Sequence, residues 1–287
     1  MTEAVPESLL PHVHVVIVDF HKATLLVRNL ESLCRQYPAD RMSIIVVDNS
    51  ADPGNHQILR QLETVENLRL MVNDRNIGYT RACNQGARQG GGDYLLMVNP
   101  DVEWRDVGSL REFVAFLDSH PQIGICGPRQ INPDGSVAET IRTIPNIFKQ
   151  AARRLFPGQC VSHADYEATQ PAEWLQSSCI LIRRSLWDRI GGFDESYITF
   201  MADVDICYKS WLAGQGVYYF ADAAVYPDGR RASVGGFWAL LYSRALRRHL
   251  IDAIIFQFKY LLKPSLTGWM PSCGGESPRA WRSRVVR

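Results

Sequence analysis

The sequence lacks the features that would settle its chemistry alone. Seven cysteines occur, but none stand in a Cys-x-x-Cys pair. Cys34, Cys83, Cys126, Cys160, Cys179, Cys207 and Cys273 are scattered and odd in number. That pattern argues against a zinc site or a disulfide framework and points to a reducing, cytoplasmic compartment. No GxGxxG follows the first apolar run and no GxxxxGK[ST] occurs anywhere. Dinucleotide oxidoreductases and P-loop enzymes therefore lose their main support, and any phosphate must be held by a metal or by basic side chains. The opening MTEAVPESLLPHVHV carries acids and prolines where a secretory leader would carry a basic region and an apolar core, so no leader is expected. Heptads and short repeats are missing too.

Net charge is also scarce, at +1, but it is unevenly spread. From Asp228 to Arg287 there are 11 Lys and Arg against 3 acids, and before that 20 against 27. A mildly acidic body with a basic tail is not the profile of a nucleic-acid-binding protein. It suits a body resting on an anionic surface through its tail. The rest is ordinary: 287 residues, 46% hydrophobic and 21% charged, enough for one large domain or a domain with an appendage.

The first hundred residues alternate between short β-branched runs and helical spacing. Residues 12–18, 42–47, 68–72 and 93–98 read as strands. Leu25, Leu26, Leu30 and Leu33 mark a helix over 22–37, and a second covers 78–89. This is the pattern of an open, mostly parallel α/β sheet flanked by helices, in which ligands lie beyond the carboxyl ends of the strands. The residues to inspect are therefore Asp19 to His21, Asp48 to Ser50, Asn73 to Gly78 and Asn99 to Asp101. Further on, 110–119 reads as helix, 123–128 as strand, 145–170 as a short helix and loop, and 173–182 as one strand. A helix is expected over 203–213, strand-like pieces over 216–226, and a long helix over 236–263.

Each polar residue has a bland reading. Asp48 before Asn49-Ser50 caps a turn, and Asn99-Pro100-Asp101 is itself a turn sequence. Asp203 and Asp205 suit the start of a helix, where acids meet the positive end of its dipole. The alternative is that one of them is a general base; two residues apart on a helix, they cannot share one face.

The order VVIVDFH, IIVVDNSADP, NDRNIGYTRACNQG, LLMVNPDV, EWLQSSCILIRR, GGFDES and FMADVDICYKSWLAGQG resembles a family 2 glycosyltransferase of the GT-A fold, in its rhamnosyltransferase-like branch. The resemblance runs from about His12 to Ser233. It implies the GT-A (nucleotide-diphospho-sugar transferase) fold and an inverting transfer of a sugar, rhamnose from dTDP-rhamnose, to a glycan or lipid-linked acceptor in cell-surface polysaccharide synthesis. Under it, Asp48 meets the nucleotide base with Phe20 beside it. Asn76, Gly78 and Asn84 line the nucleotide and sugar side. Asn99 and Asp101 belong to the Asn-Pro-Asp that stands for the family's Asp-x-Asp, and Asp101 holds a divalent metal, Mg²⁺ or Mn²⁺, bridging the diphosphate. Asp203 is the base that takes the acceptor's proton. Trp174 and Asp194 fall on the acceptor side, although Trp174 equally suits an ordinary buried tryptophan.

Four departures qualify the resemblance. His21 stands where the family usually has Asn, Ala202 replaces a Glu, Ser177 replaces a common Gly, and Pro227 stands where many members carry a His. Proline cannot ligate a metal, so metal affinity is expected to be weak, or Arg230 and Arg231 neutralise the diphosphate instead. Those arginines equally suit a solvated turn. Ala202 and Pro227 also keep open a degenerate protein that binds nucleotide-sugar or glycan without turnover. The division expected is an extension over 1–11, a catalytic domain over 12–235 (nucleotide half 12–105, acceptor half 106–235), an amphipathic helix over 236–263 and a basic disordered tail over 264–287. The helix is too interrupted by Arg, Asp252 and Lys to span a bilayer. It suits docking on the core, a membrane surface on the inner face of the plasma membrane, or a homodimer contact.

Overall fold

The computed structural model describes residues 9–144, 164–197, 200–228 and 244–260, the last with its backbone alone over 244–250. β1 (Val13–Asp19) is buried at every residue. Five of its seven residues are β-branched, as suits a parallel strand covered on both faces. α1 (Ala23–Cys34) follows and buries Leu26, Leu30 and Leu33 along one stripe. β2 (Met42–Asp48) leads into α2 (Pro53–Leu59), which starts where the sequence chemistry demands. Asp52 caps it by accepting the Gly54 N–H at 2.9 Å, and Pro53 takes the first helical position. Next come β3 (Leu68–Val72), α3 (Tyr79–Ala87), β4 (Tyr94–Val98), β5 (Val102–Glu103), α4 (Ser109–Ser119) and β6 (Ile123–Gln130). Then follow β7 (Ile141–Arg142), β8 (Gln170–Pro171), β9 (Trp174–Leu175), β10 (Cys179–Arg183), α5 (Arg184–Ile190), α6 (Ala202–Leu212), β11 (Gly216–Pro227) and α7 (Arg244–Tyr260).

The main sheet runs β3-β2-β1-β4-β10-β6-β11-β5, with β8 added to β11. β1 to β4 pair in parallel, as expected. β10 runs antiparallel between β4 and β6, so the second half of the sheet is mixed. Period-two alternation sorts β1 between two cores. Val13, Val15 and Ile17 join Leu26, Leu30 and Phe113 on one face, while Val16 and Val18 join Ala82, Trp187 and Trp211 on the other. α3 lies so close to β1 that a Cβ at Gly86 would sit 2.6 Å from a Val16 methyl, so that helix position demands glycine.

Two expectations need correcting. The strand expected over 173–182 is two strands, because Gln176 turns to bond Thr140 and β9 pairs with β7 in a small separate sheet. The pieces expected over 216–226 form one strand, bent by an irregularity between Phe220 and Ala224. The long helix is described as Arg244–Tyr260; its expected ends lie outside the described residues, as do the tail, residues 1–8 of the extension and most of 145–170.

α7 is docked against the body that carries the sheet. Phe256 is buried with Tyr197, Met201 and Val204. Three of its polar residues point inward: Asp252, fully buried, accepts the Phe200 N–H at 2.9 Å, and Lys259 and Tyr260 both reach Asp205. Its outward face carries Ile251, Ile254 and Phe258, all exposed.

Candidate active site

The carboxyl ends of β1, β2 and β4 deliver three carboxylates to one rim of the sheet. Register pairs Asp19 directly with Asp48. Asn55 ties the two together, its Nδ2 donating to Asp19 Oδ2 at 2.7 Å and to Asp48 Oδ1 at 3.2 Å. Asp19 Oδ1 accepts the Lys22 N–H at 3.2 Å where α1 begins, and the Lys22 Nζ then donates to Asp101 Oδ2 at 2.5 Å. Burial raises both Asp19 and Asp101 above the ordinary carboxylate range, opposed by Asn55 at the first and by Lys22 at the second.

Two buried carboxylate oxygens at this rim have no hydrogen bond. Asp48 Oδ1 accepts from the Ser50 hydroxyl at 2.5 Å, but its Oδ2 receives none, with His56 Nδ1 3.7 Å away. Asp101 Oδ1 is the second. The Asp228 carboxyl lies against Asp101 and pushes its pKa further up, against the pull of Lys22. Buried acceptors without donors are uncommon in native proteins and point to an absent partner. A pair of carboxylates with an unfilled oxygen is chemically apt for a hard divalent cation, although the described residues hold no cluster of three or more His, Cys, Asp or Glu. Pro227, expected as a gap in the site, pairs with Val102 in the sheet and delivers Asp228 as the next residue.

Residues 73–78 are stitched to the end of β2 by side-chain amides. Asn49 donates to Asn76 Oδ1 at 3.0 Å, and Asn76 in turn accepts the Gly78 N–H at 2.9 Å. Gly78 has φ of 91°, a left-handed conformation that favours glycine. Asn76 and Gly78 line a cleft of about 410 Å³ with Arg81, Glu195, Ser196 and Tyr197. Phe20 is half-exposed beside the rim, its ring edge-on to His21 at 4.6 Å between centroids.

Asp203 lies at the start of α6, preceded by Met201 in a left-handed conformation at φ 63°. Its carboxylate accepts the Val204 N–H at 3.0 Å and a backbone N–H from Ser177. Burial outweighs these bonds and pushes its pKa up to about 6. The neighbouring Ser178 carbonyl accepts the Asn99 N–H at 2.8 Å. The backbone of Ser177 and Ser178 thus joins Asp203 to the Asn99-Pro100-Asp101 turn, and Lys22, Asp19 and Asn55 continue the path to Asp48.

Other expected residues are placed differently. Asn84 is buried and its amide brackets the backbone of Phe193, donating at 2.8 Å and accepting at 3.0 Å, so it holds the Gly191–Asp194 turn against α3. Asp194 is engaged by Lys259 at 2.5 Å and by the Ser196 N–H; burial works upward, but these bonds bring its carboxyl down to about 2. Trp174 is half-buried against the cluster of Tyr197, Met201 and Val204, and its Nε1 donates to the Thr143 carbonyl at 2.9 Å. Asp205 points the other way from Asp203, fully buried, receiving Lys259 at 2.7 Å and Tyr260 at 2.6 Å. Arg230 and Arg231 lie outside the described residues. Sequence reasoning left out Lys22, Asn55 and Asp228; of these only Asp228, directly after a strand, carried a legible signal.

The model of Glycosyl transferase family 2 matches residues 14–185. An N-acetylglucosaminyl-diphospho-decaprenol L-rhamnosyltransferase of Mycobacterium tuberculosis is 31% identical over 232 residues, 74% of each chain. An O-antigen biosynthesis protein of Myxococcus xanthus is 28% identical over 67% of this chain and 15% of its own length. Among solved structures, a mannosyltransferase from Pyrobaculum calidifontis in complex with GDP-Man and Mn²⁺ superposes with a TM-score of 0.60 at 20% identity, covering 88% of this chain and 66% of its own. TarS residues 1–349 of S. aureus, in complex with UDP-GlcNAc, gives 0.59 at 18% identity, over 89% and 77%. The fold is thus that of the GT-A enzymes, and the chain belongs to glycosyl transferase family 2 as a glycosyltransferase.

Proposed function

We propose that the protein is an inverting glycosyltransferase of polysaccharide synthesis that moves a deoxyhexose, rhamnose from dTDP-rhamnose, onto a lipid-linked glycan. The observation that carries this is the single hydrogen-bonded rim running from Asp48 through Asp101 to Asp203. Asp48 Oδ2, buried and without a donor, suits the imide N–H of a pyrimidine base, and the exposed Phe20 ring suits stacking beside it. Asn76 and Gly78 border the ribose and sugar. Asn99 fixes the turn that presents Asp101. Asp101 and Asp228 would hold a divalent cation, Mg²⁺ or Mn²⁺, which when bound stabilises charge on the leaving diphosphate. Asp203, raised to about 6, is ionised at neutral pH yet a stronger base than an ordinary aspartate. It accepts the acceptor hydroxyl's proton as that oxygen attacks the anomeric carbon opposite the departing phosphate. Trp174 offers a face to the acceptor, whereas Asn84 and Asp194 act through the turns they hold. Arg230 and Arg231 are assigned to the diphosphate on the resemblance alone.

The rhamnosyl donor and the lipid-linked acceptor rest on the mycobacterial relative's name. Transfer of label from dTDP-rhamnose to polyprenyl-diphospho-GlcNAc tests both; turnover with another nucleotide-sugar and none with this one would reject the sugar but keep the enzyme. No hydrolysis or transfer with any donor, despite nucleotide binding, would favour the degenerate binder. Of the two residues that encouraged that reading, Ala202 is buried in the core and Pro227 pairs within the sheet.

No helix among the described residues is long and apolar enough to cross a membrane. The inward polar residues of α7 and its exposed Ile251, Ile254 and Phe258 support contact with the inner face of the plasma membrane. Arg244, Arg247 and Arg248 precede Ile251 at helical spacing. Phe258→Glu should weaken sedimentation with anionic vesicles and leave donor hydrolysis unchanged. If it instead dissolves a dimer without affecting vesicle binding, that face joins two copies.

A further inference from the structure

We propose that Lys22 is a built-in cation that competes with the divalent metal for Asp101, so that the free protein binds metal weakly and the donor's diphosphate admits it. This rests on the reading of Asp101 and Asp228 as the metal-holding pair. Lys22 Nζ lies 2.5 Å from Asp101 Oδ2, a short charge-assisted bond to a carboxylate that is almost wholly buried. The backbone of Lys22 is fixed by its N–H bond to Asp19 at the start of α1. Its amine therefore reaches the carboxylate from a defined direction, although the Lys22 side chain is itself 35% exposed.

A hard cation seeks six or more oxygen ligands. Asp101 and Asp228 supply only a fraction of these, and one oxygen of Asp101 is already given to an ammonium. Two cations on one carboxylate also repel each other strongly in a buried setting. Metal and lysine thus exclude each other at Asp101 until another anion arrives. The diphosphate of a donor resolves the conflict from both sides: its oxygens complete the metal's ligands and offer the Lys22 amine a new partner. Lysine suits this task because its charge is compact and its stem flexible, and no covalent step is needed. Nucleotide and metal then bind as a cooperative pair, and Lys22 is a positioning residue for the diphosphate.

The test is Mn²⁺ binding to the full chain, followed by the paramagnetic resonance signal of free Mn²⁺. Wild type, Lys22→Met and Lys22→Arg are compared with and without whichever of dTDP, UDP or GDP raises the melting temperature most. Lys22→Met should bind Mn²⁺ about tenfold more tightly than wild type without nucleotide, and Lys22→Arg should match wild type. Nucleotide should remove most of the difference. Equal or weaker Mn²⁺ binding by Lys22→Met overturns the proposal, with Lys22→Gln as the replacement should Met prevent folding. If Asp101→Asn binds Mn²⁺ as wild type does, the reading of the metal pair fails first, and the proposal falls with it.

Discussion

The proposed nucleotide half and the proposed acceptor half of the site are built by different means. In the first, Asp19, Asp48 and Asp101 lie at or just past the ends of parallel strands adjacent in the sheet, and the register of β1 on β2 places two of them side by side. In the second, Asp203 depends on Ser177 from the corner between β9 and β10, on a left-handed Met201, and on α7 from more than forty residues downstream. Lys259 spans Asp194 and Asp205 on either side of that segment. A site assembled from adjacent β-α units is positioned by the sheet itself. One assembled from distant segments is positioned by side-chain bonds that a single substitution can break.

The largest expected effect falls on the chemistry side. Asp203→Asn should lower transfer by about a thousandfold while nucleotide binding persists, since it removes the proposed base and keeps the shape. The same group sets a pH dependence. With Asp203 raised to about 6, wild-type kcat should fall about tenfold per unit below that value, because only the ionised form accepts a proton. Stability runs the opposite way. The folded protein holds this proton more tightly than the unfolded chain, so the contribution of neutral Asp203 is lost as pH rises from about 4 through about 6. Asp203→Asn should therefore be more stable than wild type at pH 7.5, by up to about 3 kcal/mol in urea denaturation, and should lose most of that advantage at pH 4.

Next in size, Asp101→Asn should lower kcat/KM by about a hundredfold, the scale for losing one stabiliser of developing charge. Excess Mn²⁺ should restore little of it. Asp48→Asn should weaken nucleotide binding by about tenfold in calorimetry and leave kcat nearly unchanged, because the base lies away from the reacting bonds. The smallest effect separates the halves by stability. Lys259→Met should cost about 1–2 kcal/mol in urea, since it strips one donor from a fully buried Asp205 whose remaining bonds persist. It should lower kcat more than donor affinity; an equal effect on both would remove the distinction between the two halves.

Legibility in the sequence follows the same division. The four parallel strands stand within a residue of where periodicity puts them, and the two bounded helices within three, because each is buried by its own repeating pattern. Asp48 and Asp101 are legible because each sits at or just past the end of a strand. Asn55 and Lys22 are not, since a polar residue in an early helical turn looks like any solvated one until the fold brings it against a carboxylate. Asn84 and Asp194 carry family-like motifs, yet their side chains are occupied by Phe193 and Lys259, contacts 109 and 65 residues away in the chain. The break between β9 and β10 is hidden for a similar reason: Trp174 to Leu175 pairs with β7, a partner that no local pattern announces. The amphipathic pattern of α7 is plain in the sequence, but Asp252, Lys259 and Tyr260 turn inward, because Asp205 and the Phe200 amide offer them partners.

The account stands on three distant carboxylates serving one bound donor. A crystal of Asp203→Asn soaked with nucleotide-diphosphate sugar and Mn²⁺ tests this most directly. Density should show the base at Asp48, the diphosphate between Asp101 and Lys22, and the anomeric carbon open toward residue 203. A donor bound with its sugar turned away from residue 203, or its diphosphate remote from Asp101, would contradict it.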